Sequence, residues 1–510
     1  MATVAGMPVI APLDEYNQRL IANVRPDAWR NPEAAGRYNL VVIGAGTAGL
    51  VAAVGAAGLG AKVALVERNF FGGDCLNFGC VPSKAMLRSA RAAANVASCG
   101  EYGISIAKKQ VLVDPGAVMQ RVRSLRADLS ANDSVHRMRA LGIDVFVGQA
   151  RFAAPDCVQV ESQRLRFRKA IIATGTQPAV LPIQGLAEAG YLTNETVFSL
   201  TELPREIAVI GAGPIGCELA QALQRLGATV SLIEVAPRIL IREDPEAAQR
   251  VAQVMAREGV EIMTGAAVEA VESRIDKKLL RINHDRRSRE IAVDEILVSV
   301  GRVPTIDGLN LEAARVAYHA VEGIKVDDQL RTTNKNIFAA GDAASVYKFT
   351  HVADATARLA LRNALFFGRR RVSSLLIPWC VYTDPEIAHV GLSESEAQRR
   401  GVKINTLAQE LRGVDRAVLD SEVDGFLKVH LREGTDQIVG ATIVASHAGE
   451  MISELTLAIS QRIGLRAIAD VIHPYPTQAE ALKKVADAYN RTRLTPRLKR
   501  ILQAYFAWFC

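Results

Sequence analysis

The sequence predicts an α/β fold built on two Rossmann-like dinucleotide-binding domains, followed by an α+β domain. Two observations carry the first part. A strand runs straight into a glycine turn and an apolar helix at residues 38–49, and the same order returns at residues 206–216. In each copy an acidic residue ends the following strand: Glu67 lies 23 residues after Gly44, and Glu234 lies 23 after Gly211. One such fingerprint has many chance matches, whereas two in register mean two dinucleotide sites. The third domain is read from a change of pattern beyond about Arg371.

In chain order, residues 1–37 read as an extension with one short helix around 13–22. They carry no basic region followed by an apolar one, so no secretory signal is expected in them. Residues 38–43 form a buried parallel strand. Gly44, Gly46 and Gly49 then give the tight turn, the close approach to pyrophosphate and the packing of helix on strand. Residues 61–67 form the next strand, with Glu67 as the expected partner of an adenosine ribose.

Residues 72–84, GGDCLNFGCVPSK, follow directly. Cys75 and Cys80 stand five positions apart in a loop flanked by glycines, and a pair so placed can close a disulfide. Pro82 and the run after it predict a helix starting there. Thiolates near a helix N-terminus are stabilised by its positive end, so the pair can exchange electrons at neutral pH, although for an isolated pair at this spacing a structural disulfide or two buried thiols is the reading to prefer. Cys99, Cys157, Cys217 and Cys380 read as buried thiols. No second C-x2-C supports zinc, and no metal-binding set is expected.

Further on, residues 114–141 are helical in pattern and 143–147 return to strand. Residues 169–175 form an apolar strand that ends in a small-residue turn at Thr174 and Gly175. Gly211, Gly213, Gly216 and Glu234 repeat the fingerprint, and residues 336–344 read as another strand and turn. A formal charge of +7 over 510 residues argues for neither nucleic acid nor a membrane as the general partner. No apolar run approaches the roughly 18 residues of a spanning helix, so a soluble protein is expected.

The redox loop directly after a βαβ unit resembles the flavoprotein disulfide reductases, the family of glutathione reductase, lipoamide dehydrogenase and mercuric ion reductase. The likeness runs from about Tyr38 to about Tyr489. It implies FAD in the first dinucleotide site, NAD(P)H in the second, and electrons passing from hydride through the flavin to the Cys75–Cys80 disulfide. Thr174 and Gly175 resemble a second contact with FAD. Gly341 and Asp342 resemble the second flavin motif, in which the aspartate holds the ribityl chain. Gly301, in residues 298–304, closes the nicotinamide domain in the family's manner. The resulting division is residues 38–185 and 305–371 for FAD, 186–304 for NAD(P), 372–490 for dimerisation and 491–510 for a tail. A homodimer is implied, since the family builds each redox site from both chains, and reducing thiol chemistry points to the cytoplasm.

Roles carry over by position. Lys84 and Glu218 match an ion pair beside the flavin N5, where a lysine stabilises the reduced form. Cys80 matches the thiolate next to the flavin and Cys75 the one that exchanges with substrate. The departure lies at the far end. Relatives that reduce disulfides carry His-Pro-Thr and then Glu, the histidine, oriented by the glutamate, protonating the leaving thiolate. Here the segment is His473-Pro-Tyr475-Pro-Thr-Gln-Ala-Glu480, which puts Tyr475 in the catalytic place and His473 two residues early, the alternative being that Tyr475 only packs and His473 reaches back to act. Mercuric ion reductase also has tyrosine there, and a second one matching Tyr191. The likeness is incomplete: no C-x2-C domain precedes residue 38, and the tail ends in a single Cys510 rather than an adjacent pair.

The tail is basic, with Arg491, Arg493, Arg497, Lys499 and Arg500, and its apolar residues follow helical spacing. That fits a helix lying on a membrane surface or one packed on the dimer. The expected function is therefore a mercuric-reductase-like oxidoreductase, with reduction of an organic disulfide, or a membrane-surface NAD(P)H dehydrogenase, as the alternatives.

Overall fold

The computed structural model describes residues 8–106 and 112–509. Cys510 lies outside them. The described residues form two compact units. The first holds those up to Val235 with Met263–Leu375, and the second holds Ala236–Ile262 with those from Leu376 on.

In the first unit the strand Arg37–Ile43 lies between Val63–Glu67 and Gln163–Ile172, parallel to both. Asp144–Val147 extends the sheet beyond Val63–Glu67. Leu40, Val41, Val42 and Ile43 are all buried, as a parallel strand covered on both faces must be. Ile337–Ala339 returns from far along the chain to pair with residues 170–172 of the same sheet. That return sets Gly341 and Asp342 at the carboxyl ends of the strands, where open α/β sheets bind their ligands.

A second parallel group repeats the plan, with Glu206–Ile210 between Thr229–Glu234 and Glu295–Val298. Where the chain passes between the two domains, Thr176–Pro178 pairs antiparallel with Arg302–Pro304. The short N-terminal helix is Glu15–Val24, starting where Asp14 caps it by accepting from Asn17 N at 2.9 Å.

In the second unit a five-stranded antiparallel sheet runs in the order Trp379–Val381, Glu386–Gly391, Ile438–Ala445, Phe426–Arg432, Ile404–Glu410. Helix Ala448–Ser460 packs on its central strands, and Glu480–Thr492 buries Ala481, Leu482, Val485 and Ala486 in the same core. The last helix, Pro496–Phe509, buries none of its side chains. Among the described residues no helix is long and apolar enough to cross a membrane.

Two expectations are corrected. The redox helix begins at Cys80 rather than Pro82, with Gly79 as N-cap. Proline is at no disadvantage inside a first turn, because its missing N–H would have had no partner there. Of the four outlying cysteines, Cys157 and Cys217 are buried, but Cys99 and Cys380 are only half-buried.

Candidate active site

The redox loop is pressed onto the first glycine turn, backbone against backbone. A Cβ on Gly73 would lie 2.6 Å from Gly46 Cα, and Gly72 N donates to Ala45 O at 2.9 Å. Cys75 sits in the short helix Gly73–Asn77, and Cys80 is the first residue of Cys80–Ala97. Both are thiols, Cys80 exposed and Cys75 half-buried.

Their electrostatics are asymmetric. The Cys80 thiol is lowered to about 6, first by a hydrogen bond from Cys75 and then, against its burial cost, by Thr350 and the charge of Lys84. Cys75 is pushed up by the same shared proton and by burial. The Cys80 sulfur lies 3.2 Å from Thr350 Oγ1. Lys84 Nζ lies 2.8 Å from Glu218 Oε2, and the Glu218 side chain is buried. The expected ion pair is therefore present, beside the cysteines, on the helix that Cys80 begins.

The two fingerprints are built alike. A Cβ on Gly49 would fall 1.7 Å from Gly44 O, and one on Gly216 would fall 1.9 Å from Gly211 O. Glu67 Oε2 accepts from Ala45 N at 2.6 Å, and Glu234 Oε2 accepts from Ala212 N at 2.7 Å. Each carboxylate therefore closes its own glycine turn. The segments expected as second contacts abut the turns as well. A Cβ on Gly44 would meet Ala173 O at 2.3 Å, next to Thr174 and Gly175. One on Gly211 would meet Ser299 O at 2.7 Å, two residues before Gly301. Gly213, beside Gly211, has open space at its Cβ position.

A cleft of about 370 Å³, open to solvent, is lined by Gly44, Glu67, Gly148, Gln149, Thr174 and Thr305 among others. Thr174 Oγ1 is buried in it with no partner among the described residues, and a bound adenosine ribose or phosphate would supply one. Gly341 packs its backbone against Ala48 of the first fingerprint helix. The Asp342 carboxyl beside it is pushed up by burial and accepts from Thr176 Oγ1 at 3.1 Å. The residues present fit a dinucleotide at this site.

Several members of the site carry no sequence signal of their own. Arg302 Nε donates to Thr176 Oγ1 at 2.8 Å, and its NH2 lies 3.1 Å from Asp74 Oδ1. Asn194 Nδ2 donates to the other side of the same arrangement, at 3.0 Å from Asp74 Oδ1. The residue before Cys75 is thus tied through Arg302 and Thr176 to Asp342. The only hint was adjacency, Asp74 to Cys75 and Arg302 to Gly301.

Tyr191 is partly buried against the apolar cluster that contains Ile210 and Val298. The remaining candidates lie in the second unit. The His473 side chain is 5% exposed, with Nε2 3.2 Å from Glu454 Oε1 and Nδ1 3.2 Å from Val471 O. Tyr475 is 69% exposed and donates to Asp415 Oδ2 at 3.0 Å. Asp415 raises the phenol's pKa, first by that hydrogen bond and then by its charge. Glu480 Oε1 lies 3.5 Å from Lys484, and its Oε2 is buried without a partner among the described residues. Thus Glu480 does not orient His473. No group of three or more His, Cys, Asp or Glu side chains placed to hold a metal ion occurs among the described residues.

The family described as Pyridine nucleotide-disulphide oxidoreductase matches residues 38–357, and its dimerisation domain matches 377–486. A mercuric reductase of Bacillus cereus is 33% identical over 92% of this chain and 74% of its own length. A dihydrolipoyl dehydrogenase of Chlamydia muridarum is 34% identical over 87% of this chain and 95% of its own. Among solved structures, the Cu(II) complex of the HOCl-induced flavoprotein disulfide reductase RclA from Escherichia coli superposes with a TM-score of 0.79 at 27% identity. That match covers 89% of this chain and all of the other.

Proposed function

The chain belongs to the pyridine nucleotide-disulphide oxidoreductase family, and on that premise we propose that it is a mercuric-reductase-like enzyme, reducing a soft metal ion held at the Cys75 and Cys80 sulfurs. Members of the family contain FAD and use NAD(P)H. Bound FAD supplies the conversion of a hydride into an electron pair that a thiol pair can accept. The dimerisation domain supports a homodimer.

The chain's own residues do the rest. Gly44, Gly46, Gly49, Glu67, Thr174, Gly175, Gly341 and Asp342 hold the first dinucleotide. Gly211, Gly213, Gly216, Glu234 and Gly301 hold the second. Lys84, fixed by Glu218, sets a positive charge beside Cys80 and favours its thiolate. Cys80 supplies that thiolate and Cys75 exchanges with the acceptor. Per turnover the net change would be oxidation of one NAD(P)H to NAD(P)⁺, with two electrons passed to the acceptor and one proton left over. The electron pair takes Hg(II) to Hg(0), and the proton is released.

One observation carries the choice of acceptor: an exposed phenol occupies the place of the acid, while the nearby imidazole is buried and held by Glu454. Reducing a disulfide requires a leaving thiolate to be protonated, and a phenol whose pKa is raised does this poorly. Reducing a thiolate-bound metal ion makes no such demand, and thiolates select soft ions. Relatives named as mercuric reductases, and a similar solved structure that is a Cu(II) complex, support this reading. The thiol chemistry fits a reducing compartment such as the cytoplasm.

The similarity to a dihydrolipoyl dehydrogenase over 95% of its length favours the second reading, reduction of an organic disulfide. Steady-state oxidation of NADH and NADPH with Hg(II), glutathione disulfide, lipoamide and a quinone decides between them. We expect kcat/KM for Hg(II) to exceed that for either disulfide by about tenfold or more. A preference for a disulfide overturns the reading.

A further inference from the structure

We propose that the C-terminal helix Pro496–Phe509 docks the enzyme on an anionic lipid surface. At about 100° per residue, Leu498, Ile501, Leu502, Tyr505, Trp508 and Phe509 fall in one sector of this helix. Arg497 and Lys499 stand at its two borders, and Arg500 stands opposite. The apolar sector faces solvent: Ile501 is 64% exposed, Tyr505 50%, Trp508 82% and Phe509 66%. Three of the aromatic rings form a cluster at the helix end, with Tyr505 and Phe509 4.7 Å apart and Trp508 and Phe509 5.6 Å apart. Large aromatics of this kind settle at the headgroup level of a bilayer.

Charge decides the occupant. No acidic residue follows Asp487, whereas Arg491, Arg493, Arg497, Lys499 and Arg500 do. Two such helices brought face to face would repel, but anionic headgroups would neutralise both borders of the sector. The match to the dimerisation domain ends at residue 486, and the helix lies beyond it. Fourteen residues make about 21 Å of helix, short of the roughly 30 Å hydrocarbon core, so the helix lies along the surface and does not span it. The inference stands independently of the acceptor.

The test uses full-length holoenzyme and sedimentation with phosphatidylcholine vesicles, with and without phosphatidylglycerol. We expect binding that requires phosphatidylglycerol and is released by salt. Each basic residue near such a surface contributes roughly fivefold in partitioning, so combined Arg497→Glu, Lys499→Glu and Arg500→Glu should abolish it. Tyr505→Glu with Trp508→Glu should abolish it too, with flavin content, NAD(P)H oxidation and dimer mass unchanged. Equal sedimentation with both vesicles, or variants that bind like wild type, overturns the proposal. So does a fall in mass of the Tyr505→Glu, Trp508→Glu protein, which would assign the sector to a second copy of the chain.

Discussion

Thr350 Oγ1 stands 3.2 Å from the Cys80 sulfur, although 270 residues separate them in sequence. When Cys80 is a thiolate the hydroxyl must donate, and a hydrogen bond to a charged acceptor contributes about 1.5–3 kcal/mol. Thr350→Val should therefore raise the Cys80 pKa by about one unit, and Thr350→Ser should not. The pH dependence of iodoacetamide alkylation of the reduced enzyme reads this directly. An unchanged midpoint in Thr350→Val would remove the threonine from the site.

The hydrogen bond from Cys75 is the largest influence on Cys80. With the Cys80 thiol lowered to about 6, the thiolate predominates above that pH and is lost as the pH falls through it. Alkylation at neutral pH should label Cys80 first, while Cys75, pushed up, stays protonated. Cys75→Ala should move the midpoint up further than Thr350→Val does. Cys75→Ser, which keeps a donor, should move it less. Preferential labelling of Cys75 by peptide mapping would reverse the assignment.

What was readable in the sequence is what sterics impose locally. Gly49 and Gly216 must be glycine because a Cβ there would collide with a carbonyl of the same turn, so the nucleotide sites announce themselves. The strands carry the same legibility in their apolar runs. Thr350, and the path from Asp74 through Arg302 to Asp342, have no such signal, because distant segments meet there only after folding. The start of the redox helix was hidden by Pro82, which marks a first turn without marking which residue of it. His473 is held by Glu454, 19 residues earlier on the helix Ala448–Ser460, and no local pattern reveals it.

The matched glycines give a paired test. Gly49→Ala forces a Cβ to 1.7 Å from Gly44 O, and Gly216→Ala forces one to 1.9 Å from Gly211 O. Relieving either overlap shifts a helix away from its turn, at a cost of roughly 1–3 kcal/mol. Gly49→Ala should purify with reduced flavin content. Gly216→Ala should keep its flavin but lose reduction by the nicotinamide cofactor in stopped-flow absorbance. Loss of flavin from Gly216→Ala instead would exchange the two sites.

Cofactor choice rests on Glu234, whose carboxylate accepts from a ribose 2′-OH and repels a 2′-phosphate. Arg238 is the nearest compensating charge in sequence, but its guanidinium is spent on the carbonyls of Leu240, Ile241 and Glu243 at 2.7–2.9 Å. NADH should therefore have the higher kcat/KM, and Glu234→Ala should narrow the difference several-fold. A clear preference for NADPH in the wild type would show that another cation, Arg242 being the first candidate, reaches the phosphate.

Tyr475 separates the two readings of the acceptor. If the substrate is a thiolate-bound soft metal ion, no imidazole acid is required, so turnover with Hg(II) should survive His473→Ala. That variant loses the hydrogen bonds to Glu454 and Val471, costing about 1–3 kcal/mol of stability. Tyr475→Phe should lower kcat with Hg(II), because the hydroxyl is exposed and kept protonated beside Asp415 as a donor. The converse change builds the missing acid. Glu480 Oε2 is buried without a partner among the described residues, and Glu480 is close enough to act on the Tyr475 phenol electrostatically. In Tyr475→His that oxygen can accept from the new imidazole and orient it, as an acid of this kind requires. Glutathione disulfide or lipoamide reduction, weak in the wild type, should then rise by about tenfold or more, and Glu480→Gln in the same background should take most of it away. Strong disulfide turnover by the wild type that vanishes in His473→Ala would sink the metal-ion reading. It would mean that the buried imidazole leaves Glu454 to act as the acid.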